Sequence, residues 1–457
     1  MKRNVPFLAL MALAGCSQAV PQTPNVVFIL ADDLGYGDIS PYGQQIIQTP
    51  FLARMAAQGM RFTQCYAGCT VSAPSRASLM TGLHTGHTFI RGNHEVKPEG
   101  QLPMPGATFT LGKMMQAQGY HTGVFGKWGL GYPGSESEPR RMGFDAFYGY
   151  NCQRQAHQYY PDHLWDNETR VDFPENAPTS SAQRTYAPDI IHQRALQFIR
   201  THRDEPFFAL LTYTLPHAEL NLPHDSTYSA YTQAISAQAD PPYTQGGYGY
   251  SERPLASFAA MVTRLDRYVG DVMALLDSLG IAENTVLVFT SDNGPHREGG
   301  ANPAFFQSSG PFRGIKRDLY EGGIRVPLLV RWPGKVAAGV DSDQQTAFWD
   351  VMPTLAALSG YKGAYPTDGL SMLPTLLGKG RQKQHDYLYW EFQELGGRRA
   401  IRQGPWKGVL LQVNDTTQTS FALYNLSQDI HEDHNVADQY PDVAAALQLL
   451  MKEAHTP

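Results

Sequence analysis

Short, continuous runs of β-branched and aromatic residues, set apart by segments of helical periodicity, limit what this chain can fold into more than any other feature. Asn25-Val26-Val27-Phe28-Ile29-Leu30 is such a run, and its unbroken apolar character suits a strand covered on both faces inside a parallel sheet. His121 to Phe125, Phe207 to Tyr213, Thr285 to Thr290 and Val326 to Val330 read the same way. Between them lies a helix from Pro50 to Gln58, with Thr49 as N-cap and Gly59 as its stop. A longer helix from Leu255 to Leu279 carries Phe258, Met261, Val262, Leu265, Val269, Val272, Leu276 and Leu279 at helical spacing, and Gly280 closes it. Strands alternating with helices predict an α/β fold with a mostly parallel central sheet flanked by helices. From Thr367 the pattern changes to short strands, Tyr387 to Phe392 and Trp406 to Leu411, then a helical segment from Asp442 to Lys452. A main domain of residues 22–366 followed by a smaller C-terminal α+β domain of residues 367–457 is expected. Ser226 to Glu252, rich in Tyr, Gln, Gly, Ser and Pro, has no periodicity and predicts a long surface loop of the kind that borders active sites.

At the N-terminus Lys2 and Arg3 precede the apolar run Val5 to Leu13, far shorter than the roughly 20 residues of a membrane-spanning helix. It reads as an export signal. The run ends in Leu13-Ala14-Gly15-Cys16, which resembles the bacterial lipoprotein box, so residues 1–16 are expected to be a signal peptide with lipid added at Cys16. Ser17 leans, by the same resemblance, toward the outer membrane or cell surface, with the periplasm as the other exported location. An ordinary signal peptide with a chance cysteine is the alternative. The net charge of −6, with no basic run, gives no electrostatic case for nucleic acid. Cys65, Cys69 and Cys152 are too few for a disulfide framework and lack a zinc pattern. Buried thiols are expected, a Cys65–Cys69 bridge being the other option.

The chemistry gathers at strand ends. The first strand runs into Asp32-Asp33, and the strand from Thr285 runs into Asp292-Asn293. Ligands collect outside the carboxyl ends of parallel strands, so the two pairs can meet there. Three carboxylates and an amide are hard oxygen donors suited to Ca²⁺ or Mg²⁺, and without a cation neighbouring carboxylates repel. Taken singly, an Asp after a strand is commonly a turn or cap residue. A third element adds to them. In Cys69-Thr70-Val71-Ser72-Ala73-Pro74-Ser75-Arg76, Pro74 marks a helix start and Gly82 its end, placing Ser72 just before a helix N-terminus that favours an anion. Arg76 follows one turn later and can face the same anion, although by itself such a stretch is more often a capped helix start.

As a pattern, Ser72-x-Pro74-Ser75-Arg76 with Leu79-Met80-Thr81-Gly82 resembles the signature of the type I sulfatases, the formylglycine-dependent arylsulfatase family of the alkaline-phosphatase-like superfamily. The resemblance continues through Thr49-Pro50, Gly59-Met60-Arg61-Phe62, Gly126-Lys127-Trp128, Pro216-His217, Ser291-Asp292-Asn293-Gly294, Phe312-Arg313-Gly314 and Tyr320-Glu321-Gly322-Gly323. It implies an alkaline-phosphatase-like α/β domain with a small C-terminal sheet domain. It also implies that Ser72 is oxidised to formylglycine before export by the serine-type maturation enzyme of bacteria. Cys69 does not fit that role, because Val71 stands where the motif demands Pro.

On matching positions, Asp32, Asp33, Asp292 and Asn293 resemble the calcium ligands, completed by residue 72, with Ca²⁺ preferred over Mg²⁺. Arg76, Lys127, His217 and Lys316 resemble the sulfate-binding and proton-handling residues. A sulfate monoester is anionic, so cations must surround it. In the mechanism the resemblance implies, one hydroxyl of the hydrated aldehyde attacks sulfur while His217 protonates the leaving alcohol. The second hydroxyl then expels sulfate and restores the aldehyde. Many relatives carry His after Gly-Lys-Trp, where this chain has Gly129; Lys127 or His157 are candidates for its work. Gln153, Arg154, His157, His296 and Glu298 are candidate sugar contacts. The expected substrate is a sulfated glycan, a galactose or N-acetylgalactosamine sulfate. Two rivals are a two-metal phosphodiesterase or phosphatase of the same superfamily using unmodified Ser72, and a lipid-anchored glycan-binding homologue without catalysis.

Overall fold

The computed structural model describes residues 23–180, 184–244 and 246–456. The segment 1–16, with the expected signal peptide and lipid-bearing Cys16, lies outside the described residues. In chain order the strands of the central sheet are β1 (Asn25–Ala31), β2 (Met60–Tyr66), β3 (His121–Lys127), β4 (Ala146–Tyr150), β5 (His163–Asp166), β6 (Thr169–Asp172), β7 (Phe207–Thr212), β8 (Thr285–Ser291), β9 (Arg325–Arg331), β10 (Val340–Ser342) and β11 (Thr346–Ala347). They form one 11-stranded sheet in the order β10-β2-β9-β8-β1-β7-β3-β4-β5-β6, with β11 beside β2.

The middle of this sheet, β8-β1-β7-β3-β4, is parallel throughout. Its flanks are not: β9 runs antiparallel to both β8 and β2, and β4, β5 and β6 form an antiparallel meander. The sheet is therefore mixed, and the run Val326 to Val330 belongs to an antiparallel strand. Burial on both faces does not distinguish the two cases when helices cover both sides.

Strand β1 shows why its sequence carries no alternation. Val27, Ile29 and Ala31 enter one core with α1 (Pro50–Ala57), α4 (Ala187–Thr201) and α6 (Pro254–Ser278). Val26, Phe28 and Leu30 enter the other with α2 (Ser72–Thr81) and α3 (Leu111–Ala117). Every residue of β1 is buried.

Three local expectations are corrected. Thr49 makes no side-chain cap on α1; its hydroxyl bonds Ser40 instead. The first turn is capped by the Asp266 carboxylate of α6, which accepts from the Phe51 and Leu52 N–H groups at 3.1 and 2.7 Å. Ser72 is not ahead of its helix but the first residue of α2, with Val71 as N-cap. The segment from Ser226 begins not as loop but as α5 (Ser226–Ala234), capped by Asp225 and burying Tyr228 and Tyr231. Polar residues around two buried tyrosines leave too faint an apolar stripe to read.

A second, antiparallel sheet holds β12 (Leu388–Phe392), β13 (Arg398–Gln403), β14 (Trp406–Leu411) and β15 (Ser420–Asn425) in that order. Helix Pro441–Glu453 packs on one face through Leu447 and Met451. The other face, with Leu388, Trp390 and Phe392, packs on Tyr66, Cys69 and Val71 of the main body. Cys65, Cys69 and Cys152 are buried free thiols, so Cys65 and Cys69 are not bridged. Among the described residues no helix is long and apolar enough to cross a membrane.

Candidate active site

Parallel pairing of β1 with β8 places Ala31 opposite Ser291, so Asp32-Asp33 and Asp292-Asn293 leave the sheet at the same level. Lys127 ends β3 at the same edge of the sheet. The turn after β1 is held in place: the Asp33 N–H donates to Asp292 Oδ1 at 3.1 Å and the Leu34 N–H to Ser291 Oγ at 2.9 Å. Asp33 itself takes a left-handed φ of 63°, a conformation that Asp tolerates better than most side chains. Asp32, Asp33, Asp292 and Asn293 are all buried, as are Ser72, Arg76, Lys127, His217 and Lys316.

Buried charges need partners, and here each has one. Ser72 Oγ donates to Asp32 Oδ1 at 2.9 Å. Lys127 Nζ donates to Asp32 Oδ2 at 2.7 Å and to Ser72 Oγ at 3.2 Å. Arg76 donates to Asp292 Oδ2 from Nε and a terminal nitrogen, at 3.1 and 2.9 Å, and to the Lys127 carbonyl at 2.8 Å. Lys316 Nζ lies 2.7 Å from Asp33 Oδ2 and 3.0 Å from His217 Nε2. His217 bonds the Ala218 carbonyl through Nδ1, which puts a proton on Nδ1 and leaves Nε2 to accept from Lys316. The same Nε2 is 3.3 Å from Asp33 Oδ2.

The ionisations follow from this arrangement. Burial alone would raise the Asp32 carboxyl, but the cations around it, Lys127 foremost, hold it well below the usual carboxylate range. Asp292 is pushed up to about 7 by burial and by the Asp32 charge, against Arg76 and Lys127. Burial lowers Lys127. Lys316 is raised despite burial because Asp33 and Glu298 face it. Burial and the Lys316 charge push His217 well below the ordinary imidazole range.

The donor set also fits a hard divalent cation. Asn293 Nδ2 is engaged with Asp33 Oδ1 at 2.7 Å, while Asn293 Oδ1 is buried and, among the described residues, has no hydrogen-bond partner. An orphaned amide oxygen beside buried carboxylates is what an all-oxygen ion site presents before its ion is considered. Ligand atoms of Asp32, Asp33 and His217 lie within 4.8 Å of one another.

Of the five candidate sugar contacts, four adjoin this cluster. The His157 ring stacks on His217 at 4.5 Å, and His296 stacks on His217 at 5.5 Å. Glu298 approaches His296 at 3.1 Å and Lys316 at 3.6 Å and is ion-paired with Arg317, so it serves the charge network directly. Gln153 donates to Asn93 Oδ1 at 2.9 Å, the same oxygen that accepts the Ala73 N–H at 3.1 Å. The Arg154 side chain is held at the surface by Glu95, 3.1 Å away, and among the described residues only its backbone carbonyl, which accepts the His157 N–H at 3.2 Å, reaches toward the cluster.

Asn93 and Arg317 carried no sequence signal, while Tyr248, whose ring centroid is 6.0 Å from that of His217, lies in the Tyr-rich stretch read as bordering the site but was not itself singled out. A Cβ on Gly129 would meet Gln153 Cγ at 3.4 Å, Arg76 Cδ at 3.7 Å and Lys127 Cε at 3.8 Å. Position 129 thus faces the cluster, and glycine leaves room there.

Comparison with known proteins agrees with this geometry. Residues 24–361 match the family described as "Sulfatase", and residues 313–456 match "N-sulphoglucosamine sulphohydrolase, C-terminal". An N-acetylgalactosamine-6-O-sulfatase of Bacteroides thetaiotaomicron is 30% identical over 546 residues, covering 100% of this chain and 99% of that protein. Arylsulfatase A of Bos taurus is 33% identical over 479 residues, covering 96% of this chain and 87% of that protein. The solved structure of Ps i-CgsB in complex with k-i-k-neocarrahexaose superimposes with a TM-score of 0.79 at 27% identity, covering 95% of this chain and 93% of that one.

Proposed function

The chain belongs to the sulfatase family and is a sulfuric ester hydrolase, and from that premise we propose that it is an exported, calcium-dependent enzyme that removes sulfate from sugars through a formylglycine made from Ser72. The observation that carries the proposal is the position of Ser72 Oγ, which is within hydrogen-bond reach of both Asp32 and Lys127 at the first turn of a buried helix. A side chain so placed sits among the cations an anionic ester requires and beside the oxygen donors of Asp32, Asp33, Asp292 and Asn293.

Calcium there would supply fixed positive charge, and the hydrated aldehyde at position 72 would supply the attacking hydroxyl and a second hydroxyl for sulfate release. The rest falls to this chain's side chains. Arg76, Lys127 and Lys316 balance the charge that grows on the sulfuryl oxygens, and because they are already oriented by Asp292, Asp32 and Asp33 they need little rearrangement. His217 is the group that hands a proton to the leaving alcohol at Nε2, with Lys316 and Asp33 beside that nitrogen to supply and steady it. Lys127, 3.2 Å from Ser72 Oγ, is the nearest basic group for the elimination that the absent His at position 129 serves in many relatives.

The substrate we propose is a 6-sulfated N-acetylgalactosamine or galactose, supported by the name of the Bacteroides relative. Export as a lipoprotein through Cys16, to the periplasm or outer membrane, and maturation by a serine-type enzyme before export belong to the same proposal.

Mass spectrometry of the Ser72 peptide, from protein co-expressed with a serine-type maturation enzyme, tests it. Loss of a pair of hydrogens with aldehyde reactivity, rising in step with sulfatase activity, is expected. Strong activity with Ser72 wholly unmodified would overturn the mechanism.

A further inference from the structure

The charge cluster accounts for the sulfate and leaves the rest of a sugar substrate without an apolar contact. The two side chains bonded to Ser72 Oγ, Asp32 and Lys127, are both ionic and buried. An aromatic ring meets that need, because the C–H face of a pyranose packs against a π face while its hydroxyls remain free.

Tyr248 is in the right place. Its ring centroid lies 5.4 Å from that of His157 and 6.0 Å from that of His217, tilted to both by 50° and 59°. The charges felt by its phenol are those of the cluster: Glu298, Lys316, Asp33 and Arg317. Burial pushes that phenol up to about 12, so it stays neutral in the working range. The side chain is only half-buried, and among the described residues its hydroxyl has no hydrogen-bond partner. A half-buried ring flanked by two tilted imidazoles, whose hydroxyl has no partner among the described residues, offers an apolar surface and a polar handle together.

The platform is tied to the site. The Gly249 N–H donates to Glu219 Oε1 at 3.2 Å, and Ser251 Oγ donates to the Leu220 carbonyl at 3.2 Å. Tyr243 and Ser251 exchange backbone bonds of 2.8 and 3.2 Å that pin the base of the loop. Glu219 in turn donates its N–H to the His157 carbonyl at 3.1 Å. The Tyr248 loop, the segment after His217 and His157 therefore form one hydrogen-bonded unit.

We infer that Tyr248, backed by His157, is the surface on which the sulfated sugar stacks, and that its loop sets which sugar is accepted. Galactose-configured sugars suit it best, since their C–H groups at carbons 3, 4 and 5 lie on one face. This rests on the sugar-sulfatase reading above and adds a specificity-determining residue to it.

Steady-state kinetics on aldehyde-bearing protein test the inference, with N-acetylgalactosamine 6-sulfate as substrate and inorganic sulfate as competitive inhibitor. In Tyr248→Ala, KM for the sugar sulfate should rise roughly tenfold, while the inhibition constant for inorganic sulfate stays at the wild-type value. Tyr248→Phe keeps the ring and should recover most of the loss. An unchanged KM in Tyr248→Ala would overturn the inference, and so would an equal rise in the sulfate inhibition constant, which would make Tyr248 a support of the charge cluster. If the wild type hydrolyses no sulfate ester, the functional reading fails separately. Calorimetric binding of N-acetylgalactosamine 6-sulfate, lost in Tyr248→Ala and kept in Tyr248→Phe, then still decides the stacking role.

Discussion

Lys407→Met should destabilise the protein strongly and do so more at alkaline than at acid pH. Lys407 is fully buried between the two sheets, with Nζ 2.9 Å from Glu321 Oε1 and 3.0 Å from Glu432 Oε1. Removing one partner of a buried ion pair costs about 3–5 kcal/mol. Glu321 retains the Tyr66 hydroxyl at 2.6 Å and Arg325 at 3.1 Å, so the loss falls mainly on Glu432 and the lower end, about 3 kcal/mol, is expected. Burial and the Glu321 charge already raise Glu432 from 4.5 to about 7 against the pull of Lys407. A carboxyl raised on folding binds more protons in the folded than in the unfolded state between those two values, so its contribution to stability falls as pH rises through that window. Without Lys407 the carboxyl rises further and the window widens upward. Urea unfolding followed by tryptophan fluorescence reports this region, because Trp349 and Trp390 sit in the cluster joining the sheets. Turnover should fall too: Glu321 starts the turn whose Gly323 carbonyl accepts the Gly294 N–H at 3.0 Å, next to Asn293. A loss below about 1 kcal/mol, or one equal at acid and alkaline pH, would refute the reasoning.

Asp266→Ala should cost about 1–2 kcal/mol in urea unfolding by leaving the Phe51 and Leu52 N–H groups without their cap, and a neutral result would show that Asp266 does not cap α1. Lys127→Met should lower kcat by about a hundredfold or more on any sulfate ester, read by sulfate release from protein with confirmed aldehyde; a change confined to KM would mean Lys127 acts only in ground-state binding. Calcium at roughly a hundred times its Kd should stabilise the protein by about 2.7 kcal/mol, reversed by chelator. A melting temperature indifferent to both would remove calcium from the Asp32–Asn293 set.

The fold was legible wherever burial acts on a contiguous run. Strands β1, β7 and β8 are apolar on both faces because helices cover both, and that is visible in Val26 to Leu30 without any knowledge of partners. Strand direction was not legible, since β9 meets the same burial in antiparallel pairing. Nor was the cap of α1, which comes from Asp266 some two hundred residues away in the chain. The site divides along the same line. Asp32-Asp33, Asp292-Asn293 and Ser72 to Arg76 each lie directly at the end of a strand or start of a helix, so local pattern places them, while only the resemblance to a family signature lifts them above ordinary turn and cap residues. Tyr248 has no such pattern around it; its place depends on Glu219 and the His217 segment reaching across to hold its loop.

The composition of the cluster explains why local pattern is a good guide to its chemistry. Asp32, Asp33 and Asp292 are opposed by Arg76, Lys127 and Lys316, so the buried set is close to neutral without any added ion, which is how three lysine and arginine head groups can be kept from water at all. A divalent cation at the Asn293 oxygen would tip the balance to positive, and a sulfate monoester, a monoanion, would offset part of that charge. The positive charge that such an ion leaves would favour the anionic substrate. A histidine at position 129 would add one more group able to carry positive charge within reach of Arg76 and Lys127. Glycine there, at a φ of 72° that a side chain would strain, keeps that position uncharged beside Arg76 and Lys127.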